Sequence, residues 1–332
     1  MATEAEQALF ESMGAAGALV AAGDMRGACD RLATAIAAAD GNAPDELSRA
    51  AFEGYSLLGN FADYARLDAS AAEQIVETET ELKEHHLSTA LSRARCDLVI
   101  VRARYYVAGP ALTAEQGRPP LLAMAELGGS LESDCLSGAR FLVECYNASG
   151  DSAGVSSLLL SMFNVVDGSR LADSEDGVII ASRLAWALLN ENRIEDARTV
   201  SEPALNRLRI LAKARVDAGQ PTAQEVYLLA SALLTASHLS ITEAASRGAL
   251  LRRHKLLDEA IALYDAARDA HRATDGPDAA AVATSQAKLA RSMRERPATG
   301  YVVFEDTNWV VGGSTSVVDQ GLEQALRRSV FR

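Results

Sequence analysis

Three segments of the chain share one pattern: a helix rich in small residues, a turn, and a second helix that carries alanine at a fixed offset. They are residues 17–36, 184–205 and 248–267. A helix-turn-helix unit that recurs every few tens of residues is typical of a stacked helical repeat, in which each unit buries its apolar face against its neighbours. The pattern therefore predicts a helical array, whose usual product is a surface rather than a reaction.

Apolar residues spaced three and four apart predict helix for nearly the whole chain from Ala5 to about Gly300. Breaks rich in Gly, Asn, Asp and Pro divide this region into about a dozen helices. Among these predicted breaks are Gly109-Pro110, Gly117 to Pro120, Gly150-Asp151, Asn190 to Asn192, Gly219 to Pro221 and Asp275 to Pro277.

The residues at these recurring positions resemble the tetratricopeptide repeat family, in which small and large side chains interlock helix A and helix B of each unit. The residues that carry the resemblance in three units are Ala16, Leu19, Gly23, Ala28, Leu32 and Ala35; Leu184, Ala185, Leu188, Ala197 and Ala204; and Gly248, Leu251, Ala260, Tyr264 and Ala267. The resemblance implies a right-handed α-solenoid of helix pairs that binds protein segments and catalyses no reaction.

Residues 256–290 are similar to the kinesin light chain variety of this family, because a long second helix is followed by the turn Asp-Gly-Pro-Asp at 275–278. In that variety the next helix usually carries asparagines that hold a peptide backbone. Here Ser285, Gln286, Ala287 and Lys288 occupy that region, so the asparagine clamp is not evident.

Charge is distributed unevenly along a chain whose formal net charge is −13. Residues 1–90 hold 5 Lys and Arg against 16 Asp and Glu, whereas residues 201–255 hold 8 against 4. An acidic surface repels phosphate backbones and anionic lipid, so neither nucleic acid nor a membrane is expected as a partner. The basic section predicts either a solvated helix face or a preference for an acidic partner.

Residue types that carry chemistry are scattered. The four cysteines form no C-x-x-C pair, and His85 and His86, as neighbours on a helix, point about 100° apart. We therefore expect no metal, no cofactor and no catalytic residue. The acidic N-terminal residues and the lack of an apolar run of about 20 residues predict a cytoplasmic protein.

The last 35 residues differ in character from the rest. Residues 301–313 place valines and aromatic side chains, including Trp309, on both sides of a polar turn and so predict a short β-hairpin, followed by a final helix. The expected domains are a helical repeat domain at 1–297 and a hairpin with a capping helix at 298–332. Two alternatives remain for this tail: it caps its own solenoid, or it binds a partner or a second copy of the chain as a homodimer.

The surface that would bind a partner is predicted from positions within the matching units. The candidates on the inner wall are Trp186, Asn190, Arg252, Arg291 and Arg294, with Trp309 in the tail. A tryptophan beside an asparagine can hold an extended peptide, and arginines select carboxylates or phosphates. The predicted function is a non-enzymatic protein-binding scaffold or adaptor; the alternatives are an architectural subunit of a large complex and a helical ligand sensor or enzyme.

Overall fold

The structure is a computed structural model. It describes residues 69–85, 89–127, 133–167, 175–219, 222–242, 247–274 and 277–295, scattered positions from 11 to 34, and Ala325 and Ser329. The chain divides into two compact units, Met1–Leu171 and Ala172–Arg332.

Five helices make up the described core of the first unit. They are α1 (Ala69–His85), α2 (Ala90–Ala103), α3 (Tyr105–Leu127), α4 (Ser133–Ala148) and α5 (Ser152–Asp167). Each contacts the next, and α3 also contacts α5. The turn between α4 and α5 contains Gly150 with φ of 76°, a left-handed conformation that glycine adopts without a steric penalty. The predicted break at Gly150-Asp151 is therefore confirmed.

Helix α3 departs from the sequence-based expectation. It is kinked at Gly109, where φ is 71° and ψ is 175°, but it continues through the predicted break at Gly117 to Pro120. Gly117 lies so close to Leu142 of α4 that an added Cβ would stand 2.6 Å from the leucine Cδ2. Leu121 and Met124 are fully buried just after the two prolines. Their burial, worth roughly 1.5–3 kcal/mol each, offsets the backbone hydrogen bonds that proline cannot make.

Five further helices make up the described core of the second unit. They are α6 (Glu175–Asn190), α7 (Ile194–Asp217), α8 (Ala223–Thr242), α9 (Arg247–Thr274) and α10 (Pro277–Glu295). Each contacts the next, and α6 also contacts α8. Short turns between packed neighbours place consecutive helices antiparallel, and contact between alternate helices is what a stack of helix pairs requires.

The turn between α6 and α7 follows the sequence pattern. Asn192 has φ of 60°, which asparagine tolerates better than most residues, and the Arg193 N–H donates to the Leu188 carbonyl at 2.8 Å. Leu184 and Ala185 are fully buried on α6, as is Ala197 on α7. The helix-turn-helix predicted at 184–205 is confirmed.

The unit predicted at 248–267 is wrong in one respect. Instead of the two helices and the turn that the repeated pattern predicts, this segment lies within the single 28-residue helix α9. Residues 250–260 contain no glycine, proline or asparagine, so nothing in this stretch interrupts a helix. Ala260, Tyr264 and Ala267 are nonetheless buried, at 0%, 1% and 0% exposure, as expected for the second helix of a pair.

The predicted fold class also requires a correction. The described residues form helices and turns and include no strand, so the all-α class is confirmed and the β-hairpin component is wrong. Residues 301–313, Trp309 and the predicted domain boundary at 297/298 lie outside the described residues. The right-handed solenoid and the domain boundary stay predictions.

One contact of the C-terminal segment is described. Ser329 is helical and 6% exposed, and its hydroxyl donates to the carboxylate of Glu259 on α9. Glu259 also accepts from Arg209 of α7, at 3.3 Å. Of the two alternatives for the tail, this contact favours docking on its own chain.

Candidate partner-binding surface

Trp186 lies on α6 at the contact with α8. Its side chain is partly exposed, and its ring meets the imidazole of His238 on α8 edge to face, with 5.2 Å between centroids and 73° between planes. This geometry is favoured by the ring quadrupoles and holds the indole in one orientation. One part of the indole is therefore packed, while the side chain as a whole stays partly exposed.

Asn190 lies one helical turn after Trp186 and is exposed. Residues four apart share a face of a helix, so the asparagine amide and the indole border the same strip of surface. An amide carries both donors and an acceptor and can pair with the backbone of an extended peptide. The two side chains thus combine an apolar contact with hydrogen-bonding capacity.

His238 was not among the predicted site residues. Burial lowers its pKa to about 4, and the positive charge of Arg253 lowers it further in the same direction. The imidazole is therefore neutral at pH 7, and Trp186 packs against an uncharged ring. Together, Trp186, Asn190 and His238 define what we call the α6–α8 surface.

Arg252 and Arg253 lie in the second turn of α9 and have different environments. The Arg252 side chain is exposed, whereas Arg253 is only 4% exposed and donates from Nη2 to the Met293 carbonyl of α10 at 2.7 Å. Burial first, and the charge of Arg294 second, lower the pKa of the Arg253 guanidinium. Arg253 thus connects the start of α9 to the last turn of α10, and its charge reaches His238 on α8.

Arg291 and Arg294, both predicted to line a groove, make ion pairs with α9. Arg291 donates from Nη2 to Asp265, and Arg294 donates from Nε to Asp258 at 2.9 Å. These side chains are about two-fifths exposed, at 43% and 38%. Each arginine therefore already has a carboxylate partner within the protein, and the two pairs join α9 to α10.

The structure brings some of the predicted residues together. Trp186 and Asn190 share a strip of α6, where Trp186 packs against His238. The charge of Arg253 acts on His238, and that of Arg294 acts on Arg253. Arg252 is exposed on α9, and Arg291 pairs with Asp265 about one turn before Arg294 on α10. Trp309 lies outside the described residues.

The described helices contain no group of three His, Cys, Asp or Glu side chains placed to hold a metal ion. Within those same helices, none is long and apolar enough to cross a bilayer. Cys96 and Cys145 are free, buried thiols, and Cys135 is also buried.

Comparisons with known proteins add little to this description. No family model matches the chain, and no curated protein matches it. The crystal structure of BtubC (BKLC) from P. vanneervenii is similar over 75% of this chain and 99% of that chain, with 16% sequence identity and a TM-score of 0.42. The all-α arrangement of stacked helix pairs follows from the helix order and contacts of the described residues.

Proposed function

We propose that this protein is a non-enzymatic interaction scaffold or adaptor that binds a protein segment on the α6–α8 surface. The observation that carries the proposal is the partly exposed Trp186, held against His238 of the next-but-one helix and followed one turn later by the exposed Asn190. Binding energy in protein interfaces concentrates on such pre-oriented aromatic anchors.

The arrangement of helices supports the proposal. Alternate helices α6 and α8 are in contact, so side chains from both contribute to one continuous wall. Stacked helix pairs of this kind typically present such walls to extended partners. The resemblance of the repeat positions to tetratricopeptide units points in the same direction.

The charge of the chain restricts the partner. With a formal net charge of −13, the protein repels nucleic acid and anionic lipid over most of its surface. The basic start of α9 is the place where an acidic protein segment is attracted. A protein partner in the cytoplasm is therefore the proposed target.

The experiment is affinity purification of the full chain from its native cell, followed by mass spectrometry. Trp186→Ala and Asn190→Ala are compared with Lys213→Ala, which changes an exposed residue of α7 away from this surface. We expect each of the two surface variants to recover a stoichiometric partner in an amount at least about tenfold lower than the unchanged protein does. Lys213→Ala should recover the same amount as the unchanged protein.

Circular dichroism controls for folding, and Asn190→Ala is the more informative variant because its side chain is exposed. A partner that is retained equally by all three variants contradicts binding at the α6–α8 surface. A partner that is absent from the unchanged protein contradicts the adaptor function itself.

A further inference from the structure

The guanidinium of Arg253 lacks most of the hydrogen bonds that its burial demands. At 4% exposure it makes one hydrogen bond, from Nη2 to the Met293 carbonyl. Its Nε and Nη1 are fully buried, and the described part of the chain provides no acceptor for either. An arginine carries five N–H donors, and where water is excluded each needs an acceptor within the protein. Most of the donors of Arg253 therefore lack a partner.

The charges around Arg253 are mainly positive. Arg294 repels it, and Arg253 in turn disfavours the protonated forms of His238 and His254. Asp258, the acidic side chain of this cluster, is held by Arg294 through both carboxylate oxygens, at 2.9 and 3.5 Å. No carboxylate of the described residues pairs with Arg253.

A purely structural role accounts for only part of this arrangement. Met293 lies in the last turn of α10, where carbonyls lack helical partners and a cation is favoured. That role uses one N–H of Nη2 and leaves Nε and Nη1 unsatisfied. A buried water could accept a hydrogen bond there but would supply no negative charge, and an arginine cannot discharge by losing its proton.

We propose that Arg253 is an anion subsite that takes a carboxylate from an acidic side chain of the bound protein segment. This inference rests on the proposed function and names the chemistry of its partner. His238 interacts with both parts of the site: its ring packs against Trp186, and the charge of Arg253 lowers its pKa. A segment anchored by Trp186 and Asn190 would then insert one acidic residue beside Arg253. Because the guanidinium is covered, entry requires a covering side chain to turn away.

The test uses the full chain and measures binding of a hexaglutamate peptide by calorimetry, with hexaglutamine as the uncharged control peptide. Arg253→Gln removes the charge but keeps a side-chain N–H donor. Lys213→Gln removes one positive charge from an exposed side chain of α7 and is the matched control. At about 0.15 M salt, where long-range attraction is screened, we expect Lys213→Gln to change the affinity less than about threefold. We expect Arg253→Gln to weaken it about tenfold or more.

A second readout does not depend on any variant. A carboxylate beside Arg253 changes the electric field at the His238 imidazole, so hexaglutamate should shift the NMR signals of the His238 ring at pH 7, where the peptide is fully charged. This measurement, made on the unchanged protein, decides the question if Arg253→Gln fails to fold. Unchanged His238 ring signals in saturating hexaglutamate at pH 7 would overturn the proposal.

Two further outcomes would also overturn it. One is equal affinity of the unchanged protein and a folded Arg253→Gln for hexaglutamate. The other is a response of His238 to inorganic phosphate alone, which would indicate a small-anion site rather than a site for an acidic segment.

The subsite and the proposed function fail separately. Arg253-dependent binding of hexaglutamate without any Trp186-dependent partner supports the subsite and contradicts the scaffold. A partner whose binding depends on Trp186 but is unchanged by Arg253→Gln supports the scaffold and contradicts the subsite.

Discussion

Glu79 in the first unit and Arg253 in the second are both buried ionisable groups, at 1% and 4% exposure, and both have side-chain atoms without a hydrogen-bond partner. They differ in how they respond to burial. Burial raises the pKa of Glu79 to about 7, an effect only partly opposed by its hydrogen bond with Cys96. Glu79 can therefore take up a proton and become neutral near physiological pH, whereas Arg253 stays charged.

This difference separates two uses of a buried ionisable side chain. A buried carboxyl makes stability depend on pH, because the protein can exchange its charge for a proton. A buried guanidinium has no such route, so its charge is relieved only by an anion from elsewhere. The first unit is accordingly expected to respond to protons, and the second to acidic ligands.

The largest effect is expected for Glu79→Gln. The Glu79 carboxyl has a pKa near 4.5 in the unfolded chain and about 7 in the folded protein. As pH rises between these values, Glu79 therefore makes the native protein progressively less stable. The variant lacks this penalty and should be about 3 kcal/mol more stable than the unchanged protein above pH 7, with little difference below pH 4.5. Urea unfolding across this pH range measures the difference.

Glu77→Gln is the control, because Glu77 lies half a turn away on α1 and is exposed. It should be within about 0.5 kcal/mol of the unchanged protein at every pH. A difference in the free energy of unfolding between Glu79→Gln and the unchanged protein that stays constant from pH 4.5 to 8 would show that Glu79 is ionised in the folded state. Glu79 and Arg253 would then not differ in their response to burial.

An intermediate effect is expected for Arg253→Met. Methionine fills a similar volume without a charge, so the variant loses the bond to Met293 but also loses the cost of an unpaired buried cation. Without added anion we expect a net gain in the free energy of unfolding of about 1 kcal/mol, while Arg252→Met changes it by less than about 0.5 kcal/mol. Chemical denaturation in chloride buffer tests this. A loss above about 2 kcal/mol would mean that the guanidinium is already satisfied.

The smallest effect is expected for Arg294→Gln. Its pair with Asp258 is partly exposed on both sides, so its removal should cost less than about 1 kcal/mol. The informative readout is His254, whose pKa is lowered by burial and then by Arg294. We expect the pKa of His254 to rise in this variant, as followed by NMR. Arg291→Gln, which removes the neighbouring pair with Asp265, should leave it unchanged, and equal shifts in both variants would contradict a local effect of Arg294.

Much of the helical arrangement could be predicted from local sequence signals. Gly150 and Asn192 have the left-handed conformations that their residue types favour, and the helices end at these turns as expected. The turn predicted within residues 248–267 was wrong because it rested on matching a repeat pattern, although no residue at 250–260 interrupts a helix. The continuation of α3 through Pro119 and Pro120 could not be predicted, since it depends on packing against α4.

The arrangement of the candidate residues could be predicted in part for similar reasons. Trp186 and Asn190 are four residues apart and therefore share a helix face, so their proximity could be predicted from the sequence. Arg253 begins the stripe of α9 that continues with Leu257, Ala260, Tyr264 and Ala267, all buried, but this stripe is visible only once α9 is one helix. The contact of His238 with Trp186 joins two helices that are distant in sequence, and no local pattern predicts it.

The positions of the cysteines and tryptophans give each unit its own spectroscopic or chemical probe. All four cysteines fall within Met1–Leu171, and both tryptophans fall within Ala172–Arg332. Burial raises the pKa of the Cys96 thiol and raises that of Cys145 to about 12, so these thiols stay protonated and react slowly until the first unit opens. Thiol labelling therefore times the opening of the first unit, while tryptophan fluorescence follows the second. The unmodified chain can thus report whether its two halves unfold together or one at a time.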